Sequence, residues 1–325
     1  MLNFNQNSNF EHKVEETILG DEFVKHIPKK LRDTLVKSVL SSIAYTPRIG
    51  IMGQSGAGKS SLVNAIVGRK VFDVGHAGGC TRKVQEKTIE ISRANKLTFV
   101  DLPGIAENEH YDKEYQDLYE KELKSLDIVL WIIKIDNRAN QADQLFYNKM
   151  INDFKYPKNQ IVFVLSQIDK TNPSREFNYK LYIPSQKQKT NIEANIQRIA
   201  DDFSLSENNI FPVVCDYVED KDIFETYGLD DLTTKIITSM PNKAKSGFYA
   251  SVDKKNRTET AKQEAKKGFE DSTIDTIFDT IEQTAGFLEN IPGIGQFATV
   301  TKKVVSNIAR PIAKAIGKLW DSIFS

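Results

Sequence analysis

The chain has 325 residues, the length of one large domain with an appendage or of two domains. Hydrophobic residues make up 40% and charged residues 27%, which is enough to bury a core and excludes general disorder. Lysine plus arginine and aspartate plus glutamate both number 44, so no global charge draws the protein to nucleic acid.

Cysteine content and hydropathy limit the cellular compartments that the sequence fits. Cys80 and Cys215 are too few for a disulfide framework and favour a reducing environment. The N-terminus lacks the basic and apolar regions of a secretory signal, and no apolar run approaches the roughly 18 residues that a membrane span needs. We therefore expect a cytoplasmic protein.

The hydrophobic pattern changes period along the chain. Residues 14–44 carry apolar side chains at spacings of three and four, which predict an amphipathic helix. After Pro47, strands are predicted over 48–52, 84–91, 97–100, 127–133, 161–165 and 210–214. Helices are predicted between and after them: the first ends near Gly68, and the others cover 115–125, 140–154, 186–203 and 228–240. This alternation predicts an α/β fold: a doubly wound, mostly parallel sheet with one antiparallel edge strand, flanked by N- and C-terminal helices.

Three segments follow from these patterns. They are an N-terminal helical segment (1–47), a nucleotide-binding domain (48–241) and a C-terminal helical region (242–325). Composition shifts after Pro241, and residues 253–271 are dense in mixed charge, which is typical of a solvated helix or connector.

The C-terminal stretch 300–324 has the pattern of a basic amphipathic helix. Residues 291–325 carry five lysines or arginines against one acid, Asp321, and Pro311 is expected to kink the helix. One interpretation is a peripheral contact with an anionic membrane at its inner face. The alternative is a helix that pairs in a dimer or docks on the rest of the protein, with the apolar stripe at residues 31–43 as the natural partner.

The strongest motif is a glycine-rich loop between the first strand and the following helix. It matches G-x-x-x-x-G-K-[ST], a loop whose backbone N–H groups surround phosphates. Lys59 is expected to place its charge on the β- and γ-phosphates, and the Ser60 hydroxyl to ligate Mg²⁺. The predicted phosphate-binding residues are Gly53, Gln54, Ser55, Gly56, Ala57, Gly58, Lys59, Ser60 and Ser61.

Two further segments are placed to contact the γ-phosphate and Mg²⁺. Asp101 ends the strand 97–100 and can reach Mg²⁺ through water, while the N–H of Gly104 can contact the γ-phosphate. Thr81 closes a polar loop just before a strand, so its hydroxyl is predicted to bind Mg²⁺ and its N–H the γ-phosphate. The alternative for Thr81 is an ordinary loop threonine. Lys59, Thr81 and Gly104 are the predicted catalytic residues.

The base-reading site is expected at the carboxyl ends of the later strands. Asp169 can accept both the N1–H and the 2-amino group of guanine, a pairing that adenine does not offer. Gln167 and Lys170 flank it in the predicted nucleotide site. The usual guanine motif is Asn-Lys-x-Asp, and here Ser166 and Gln167 replace its first two residues, so ATP stays open as an alternative to GTP.

A second base contact is predicted after the strand 210–214. Val214 and Cys215 stand where a short loop would offer a backbone N–H to the guanine oxygen. A buried core cysteine is an equally good interpretation of Cys215.

These motifs resemble the Era-like, translation-factor-class (TRAFAC) small GTPases, in particular the YfjP/YeeP-type bacterial GTPases. The residues that carry the resemblance are GQSGAGKSSLVNAIVG (53–68), CTRKV (80–84), DLPGIAE (101–107), the long stretch 111–147 and FVLSQIDK (163–170). The resemblance covers about residues 30–241. The resemblance implies a Ras-like P-loop fold with a GTP-binding G domain at 48–241. It also implies GTP and GDP as ligands, Mg²⁺ as cofactor, and hydrolysis of GTP to GDP as a switch.

The resemblance also bears on hydrolysis. Ras-like proteins orient the attacking water with a glutamine where this chain has Ile105, whose side chain cannot form hydrogen bonds, so slow intrinsic hydrolysis is expected. Relatives that use potassium have an asparagine where this chain has Gly56. The loop also resembles those of septin-like and immunity-related GTPases, which are activated by dimerisation across the nucleotide. A homodimer or a partner is therefore predicted to complete the site, with His76 and His110 as candidates beside their interpretation as surface residues.

Three functions stay open at this point. The first is a GTPase switch, and the second is a nucleotide-dependent module that uses the C-terminal helix for membrane association or self-assembly. The third is a ribosome-associated, Era-like factor, which ranks last because neither a KH-like loop nor a strongly basic domain is seen. Nucleic-acid contact is accordingly not expected.

Overall fold

The computed structural model describes residues 4–20, 22–25, 29–73, 85–91, 95–102, 113–137, 141–283 and 302–324. The strands are β1 (Arg48–Met52), β2 (Gln85–Glu90), β3 (Lys96–Asp101), β4 (Ile128–Lys134), β5 (Ile161–Ser166), β6 (Ile210–Val218) and β7 (Ile223–Tyr227). The helices are α1 (Phe4–Leu19), α2 (Glu22–Lys25), α3 (Lys29–Ile43), α4 (Lys59–Val67), α5 (Lys113–Ser125), α6 (Gln141–Asn152), α7 (Gln186–Phe203), α8 (Leu229–Ser239), α9 (Asn242–Ser251), α10 (Glu259–Gln283), α11 (Lys302–Gly317) and α12 (Trp320–Phe324).

The seven strands form one sheet in the order β2-β3-β1-β4-β5-β6-β7. The strands from β3 to β6 in this order run parallel, and β2 pairs antiparallel with β3 at one edge. The doubly wound, mostly parallel sheet and its antiparallel edge are thus confirmed. A second antiparallel edge, β7 on β6, was not predicted. It exists because β6 continues to Val218 and turns back through Asp222, whose φ is +53°.

Parallel pairing brings the functional loops to one edge of the sheet. Asp101 at the end of β3 lies opposite Ile51 of β1, and Ser166 at the end of β5 lies opposite Val213 of β6. The loops that follow β1, β3 and β5 therefore begin at the same edge, where open α/β sheets bind ligands.

The central strands are covered on both faces, which explains their almost continuous apolar sequences. Every residue of β5 is buried. On the face covered by α6 and α7, the rings of Trp131 and Phe163 stack at 5.6 Å, and Phe203 packs on Phe163 at 4.8 Å. The opposite face is covered by α4 and the helices outside the predicted nucleotide domain.

The N-terminal and C-terminal helices pack onto the sheet and onto each other. One hydrophobic cluster contains buried side chains from all three predicted segments, among them Val39, Ile49 and Ile312. Helix α10 lies against α3, α9 and α11. The single helix expected over 14–44 is instead three helices, α1 to α3. The mixed-charge stretch 253–271 is largely helical, but it buries Ala261, Ala265 and Phe269.

The C-terminal amphipathic helix is docked on the rest of the chain. Trp320 is 0% exposed, and its indole Nε1 donates to the Ser246 hydroxyl at 2.9 Å. Ile312 and Ile316 are buried as well, and the ring of Phe324 lies 5.5 Å from that of Phe269. These described apolar side chains of the stretch 300–324 therefore pack against protein.

The described residues thus favour the docking interpretation over a membrane contact, and the main docking partner is α10 rather than the stripe at 31–43. Helix α11 continues through Pro311. In the part of the chain that the structure describes, no helix combines the length and hydropathy needed to cross a bilayer.

A buried asparagine holds the chain that leads toward the predicted Thr81 loop. Asn64 in α4 is 0% exposed, and its Oδ1 accepts from the N–H groups of Val71 and Phe72, each at 2.8 Å. Its Nδ2 donates to the Phe72 carbonyl at 2.8 Å. The Asn64 carboxamide therefore forms three hydrogen bonds to one short backbone segment.

Replacing Asn64 by alanine is expected to lower the free energy of unfolding by about 2 kcal/mol, because three backbone groups lose their partner. Urea denaturation of the purified protein measures this change. The exposed Asn152 at the end of α6 supplies the control, since Asn152→Ala should change stability by less than about 0.5 kcal/mol. Equal stabilities of the two variants would contradict the anchoring role of Asn64.

Candidate nucleotide-binding site

The glycine-rich loop connects the buried strand β1 to the first turn of α4. At Gly53 the backbone has φ +143°, and a Cβ there would overlap the carbonyl oxygen of Ile132 in β4. Gly58, which precedes α4, has φ +91° in the left-handed region. A side chain would strain either position, so the glycines are required by the close path of this loop.

The start of α4 carries the charge and the hydroxyl that the motif predicts. The Lys59 ammonium group donates to the carbonyl oxygens of Gly53 at 2.8 Å and Gln54 at 3.5 Å, so it lies over the loop. Ser60 and Ser61 belong to the first turn of the helix, where backbone N–H groups have no intrahelical acceptor. This geometry is suited to a phosphate group.

Two side chains at the end of β5 and in the loop after it form hydrogen bonds to the glycine-rich loop, called the phosphate loop below. The buried Ser166 hydroxyl donates to the Ala57 carbonyl at 2.6 Å. The Gln167 carboxamide donates to the Gly56 carbonyl at 2.9 Å, from a backbone with φ +58°. The two residues that depart from the usual guanine motif therefore both form hydrogen bonds to the phosphate loop.

Asp169 lies in the short helical turn that follows Gln167 and is only 8% exposed. The turn is held from α7, where the side-chain Nε2 of the fully buried Gln188 donates to the carbonyls of Asp169 at 3.3 Å and Thr171 at 3.0 Å. Gln188 also forms a capping box with Ser185, which aligns the start of α7. The backbone of the turn that carries the Asp169 carboxylate is thus held by α7.

Burial is the main cause that raises the pKa of Asp169 above its ordinary value, and the nearby charge of Asp216 adds to it. A hydrogen bond from Tyr179 and the charge of Lys170 act in the opposite direction. A carboxylate that is buried, partly paired and within reach of a cleft is typical of a binding site.

One open cleft of about 600 Å³ runs from the phosphate loop to Asp169. Its volume lies within the usual range for small-molecule sites. Its lining combines the phosphate loop, the loop after β5 and the middle of β6. The lining residues are Ser55, Gly56, Gly58, Lys59, Ser60, Ser61, Leu62, Ser166, Gln167, Asp169, Val213, Val214, Cys215 and Asp216. The structure therefore brings many of the predicted phosphate and base residues together in one cleft, whereas Gly53, Gln54, Ala57 and Lys170 are not among its lining residues.

The prediction of a loop at Val214 and Cys215 is wrong. Both residues belong to β6, where Val214 pairs with Tyr227 and Cys215 with Thr226 of β7. Cys215 is partly buried against the hydrophobic core, although it also lines the cleft. Burial raises the pKa of its thiol to about 12, so the thiol is neutral near pH 7. The core-cysteine interpretation agrees with this placement.

Asp101 ends β3, and Ser60 lies in the first turn of α4, which follows the adjacent strand β1, so both predicted magnesium ligands stand at the same edge of the sheet. In the residues that the structure describes, no group of three or more His, Cys, Asp or Glu side chains could hold a metal alone. Magnesium in nucleotide sites is bound through one or two side chains plus substrate phosphates, so a single carboxylate and a hydroxyl fit it.

Several predicted residues lie outside the described part of the chain. Thr81 and Gly104, with Ile105 after it, belong to this set, as do His76 and His110. Their predicted roles at the γ-phosphate stay predictions.

Sequence reasoning missed four side chains that shape the site: Ser166, Gln188, Tyr179 and Asp216. The position of Ser166 in the guanine motif and the Ser-x-x-Gln capping pattern before α7 were available signals for the first two. Tyr179 and Asp216 carry no local signal, because their contacts join segments that are distant in sequence.

Residues 48–167 match a protein family described as 50S ribosome-binding GTPase. Over 298 residues the chain is 32% identical to YfjP of Escherichia coli (strain K12), covering 92% of this chain and 94% of that protein. YkfA of the same strain is 30% identical over the same shares. Among solved structures, Aquifex aeolicus Era bound to GDP·AlF4⁻ aligns with a TM-score of 0.38 and 20% identity, covering 62% of this chain and 66% of that one.

Proposed function

The chain belongs to the P-loop GTPase family of YfjP and YkfA, and on this premise we propose that it binds GTP with Mg²⁺ and hydrolyses it to GDP as a nucleotide-dependent switch. One observation carries the proposal: a continuous cleft has the Lys59 ammonium at one end and the buried Asp169 carboxylate at the other. The first suits a chain of phosphates and the second suits the N–H edge of guanine.

The chain supplies each part of the proposed reaction from a different element. The glycine-rich loop and Lys59 hold the phosphates, and Ser60 and Asp101 hold the magnesium ion, which neutralises charge on the phosphates when bound. Asp169 orients the base. Thr81 and Gly104 complete the contacts to the γ-phosphate, so their loops order with GTP and relax after hydrolysis.

Titration of the purified protein with fluorescent GTP and ATP analogues, in the presence of Mg²⁺, tests the ligand. We expect binding of the GTP analogue and much weaker binding of the ATP analogue. Equal affinity for both would reduce the proposal to a P-loop protein without base selectivity. Release of phosphate from GTP, followed under the same conditions, tests the hydrolase activity.

We further propose that a second copy of the chain or a partner completes the catalytic site. The support is chemical: Ile105 follows Gly104 where Ras-like proteins have a glutamine, and an isoleucine side chain cannot form a hydrogen bond to the attacking water.

Activation by self-association predicts that hydrolysis per molecule rises with protein concentration. We expect an increase when GTP turnover is measured over a hundredfold range of protein concentration, with inert protein added to keep total protein constant. A flat rate would contradict dimer activation and leave a separate partner as the activator.

We also propose residues 48–241 as the G domain, with 1–47 and 242–325 as helical segments that respond to it. A hydrogen bond between the C-terminal segment and α4 supports this proposal: the N–H of Asp253 donates to the carbonyl of Ile66 at 2.7 Å. A shift of α4 with the bound nucleotide would therefore reach the helices beyond residue 241.

A further inference from the structure

After β5 the chain forms a compact aromatic turn over residues 177–183, the tyrosine turn. The ring centroids of Phe177 and Tyr179 lie 4.9 Å apart, those of Phe177 and Tyr182 5.8 Å, and those of the two tyrosines 6.1 Å. Asn178 and Ile183 pair as an antiparallel bridge across the turn. The Asn178 side chain also accepts from the N–H groups of two residues inside the turn, at 3.1 and 3.0 Å. The tyrosines therefore stand on a well-connected segment.

Both tyrosine hydroxyls reach carboxylates that line the cleft. The hydroxyl of Tyr179 donates to Asp169 Oδ2 at 3.2 Å, and the hydroxyl of Tyr182 donates to Asp216 Oδ2 at 2.6 Å. Asp169 comes from the loop after β5, whereas Asp216 comes from β6. The tyrosine turn thus touches both acids at the base end of the cleft.

The two acids interact unfavourably as anions. Desolvation and the charge of Asp216 raise the pKa of Asp169, whereas Tyr179 and Lys170 lower it. Tyr182 faces both acids and Glu225 as well, and burial together with these charges raises the pKa of its hydroxyl. Each hydroxyl therefore remains a hydrogen-bond donor at neutral pH.

We propose that Tyr179 is a positioning residue for guanine recognition, which orients Asp169 and keeps it ionised beside Asp216. This inference rests on the proposed binding of guanine nucleotides. A carboxylate oxygen has two lone pairs, so Oδ2 of Asp169 accepts from Tyr179 and from guanine at the same time. Tyr179 is 56% exposed, so its ring lies at the protein surface, from where its hydroxyl reaches Asp169. Tyr182 supports it by donating to the competing acid.

The test compares GDP and ADP binding by wild type and Tyr179→Phe between acidic and neutral pH. Phenylalanine keeps the ring contacts and removes only the hydroxyl. At neutral pH we expect GDP affinity to fall about tenfold, because one hydrogen bond to a charged group is lost, while ADP affinity stays unchanged.

The pH profile distinguishes positioning from packing. Guanine binding needs ionised Asp169, so GDP affinity is full above the pKa of that carboxyl and is lost below it. Removing the hydroxyl that stabilises the anion should move this midpoint to higher pH. In Asp169→Asn the midpoint should disappear.

Tyr217→Phe is the matched control, because the hydroxyl of Tyr217 donates to the exposed Asp222 at 2.6 Å and neither residue lines the cleft. We expect wild-type affinity and midpoint from this variant. If wild type prefers GDP but Tyr179→Phe keeps its affinity or its midpoint, the positioning role is overturned. If wild type does not prefer GDP over ADP, the proposed function itself fails.

Discussion

Replacing Asp169 by asparagine is expected to lower the affinity for GDP by about 100-fold, because two charge-assisted hydrogen bonds to guanine are lost. The carboxylate accepts from both the N1–H and the 2-amino group. An asparagine carboxamide has one acceptor oxygen, and its NH₂ group would face a donor of the base. Xanthine has an oxygen in place of the 2-amino group, so the same variant should bind xanthosine diphosphate better than wild type does.

Titration with GDP, xanthosine diphosphate and ADP measures these changes. Asp220→Asn provides the control, since Asp220 is exposed and lies outside the cleft lining. It should leave all three affinities at their wild-type values. Unchanged GDP affinity in Asp169→Asn would show that this loop does not read the base.

Replacing Lys59 by alanine is the second change with a large expected effect. The ammonium group lies over the glycine-rich loop, bonded to the Gly53 carbonyl at 2.8 Å, where the β- and γ-phosphates are proposed to bind. We expect GTP affinity to fall by at least about 100-fold, because a phosphate contact of full charge is removed from a partly dehydrated site. GTP hydrolysis should fall below detection.

The fold should survive this change, because among the described residues Lys59 has hydrogen bonds to loop carbonyls and no ion pair. Thermal unfolding of the nucleotide-free protein checks that expectation. Lys189→Met is the control for loss of one positive charge, since Lys189 is exposed in α7. GTP turnover by Lys59→Ala at the wild-type rate would contradict the placement of the phosphates.

The sequence alone determined the features that are encoded within a few consecutive residues. The glycine-rich loop with Lys59 and Ser60 is such a feature, as are Asp101 at a strand end and Asp169 after a buried strand. The other strands and helices of the sheet were predicted to within a few residues, because period and turn chemistry are local properties, whereas β6 was predicted too short and β7 was missed. These local patterns also sufficed for the mostly parallel sheet, since βα alternation admits few other arrangements.

Only the tertiary structure decided which side chains meet across the cleft. The contacts of Tyr179 with Asp169 and of Tyr182 with Asp216 depend on how the tyrosine turn folds back over β6, which no spacing in the sequence records. The same holds for the docked Trp320, since a basic amphipathic pattern fits a membrane surface and a protein surface equally well. An apolar stripe indicates that one face of a helix is buried, whereas contacts between distant segments determine which partner buries it.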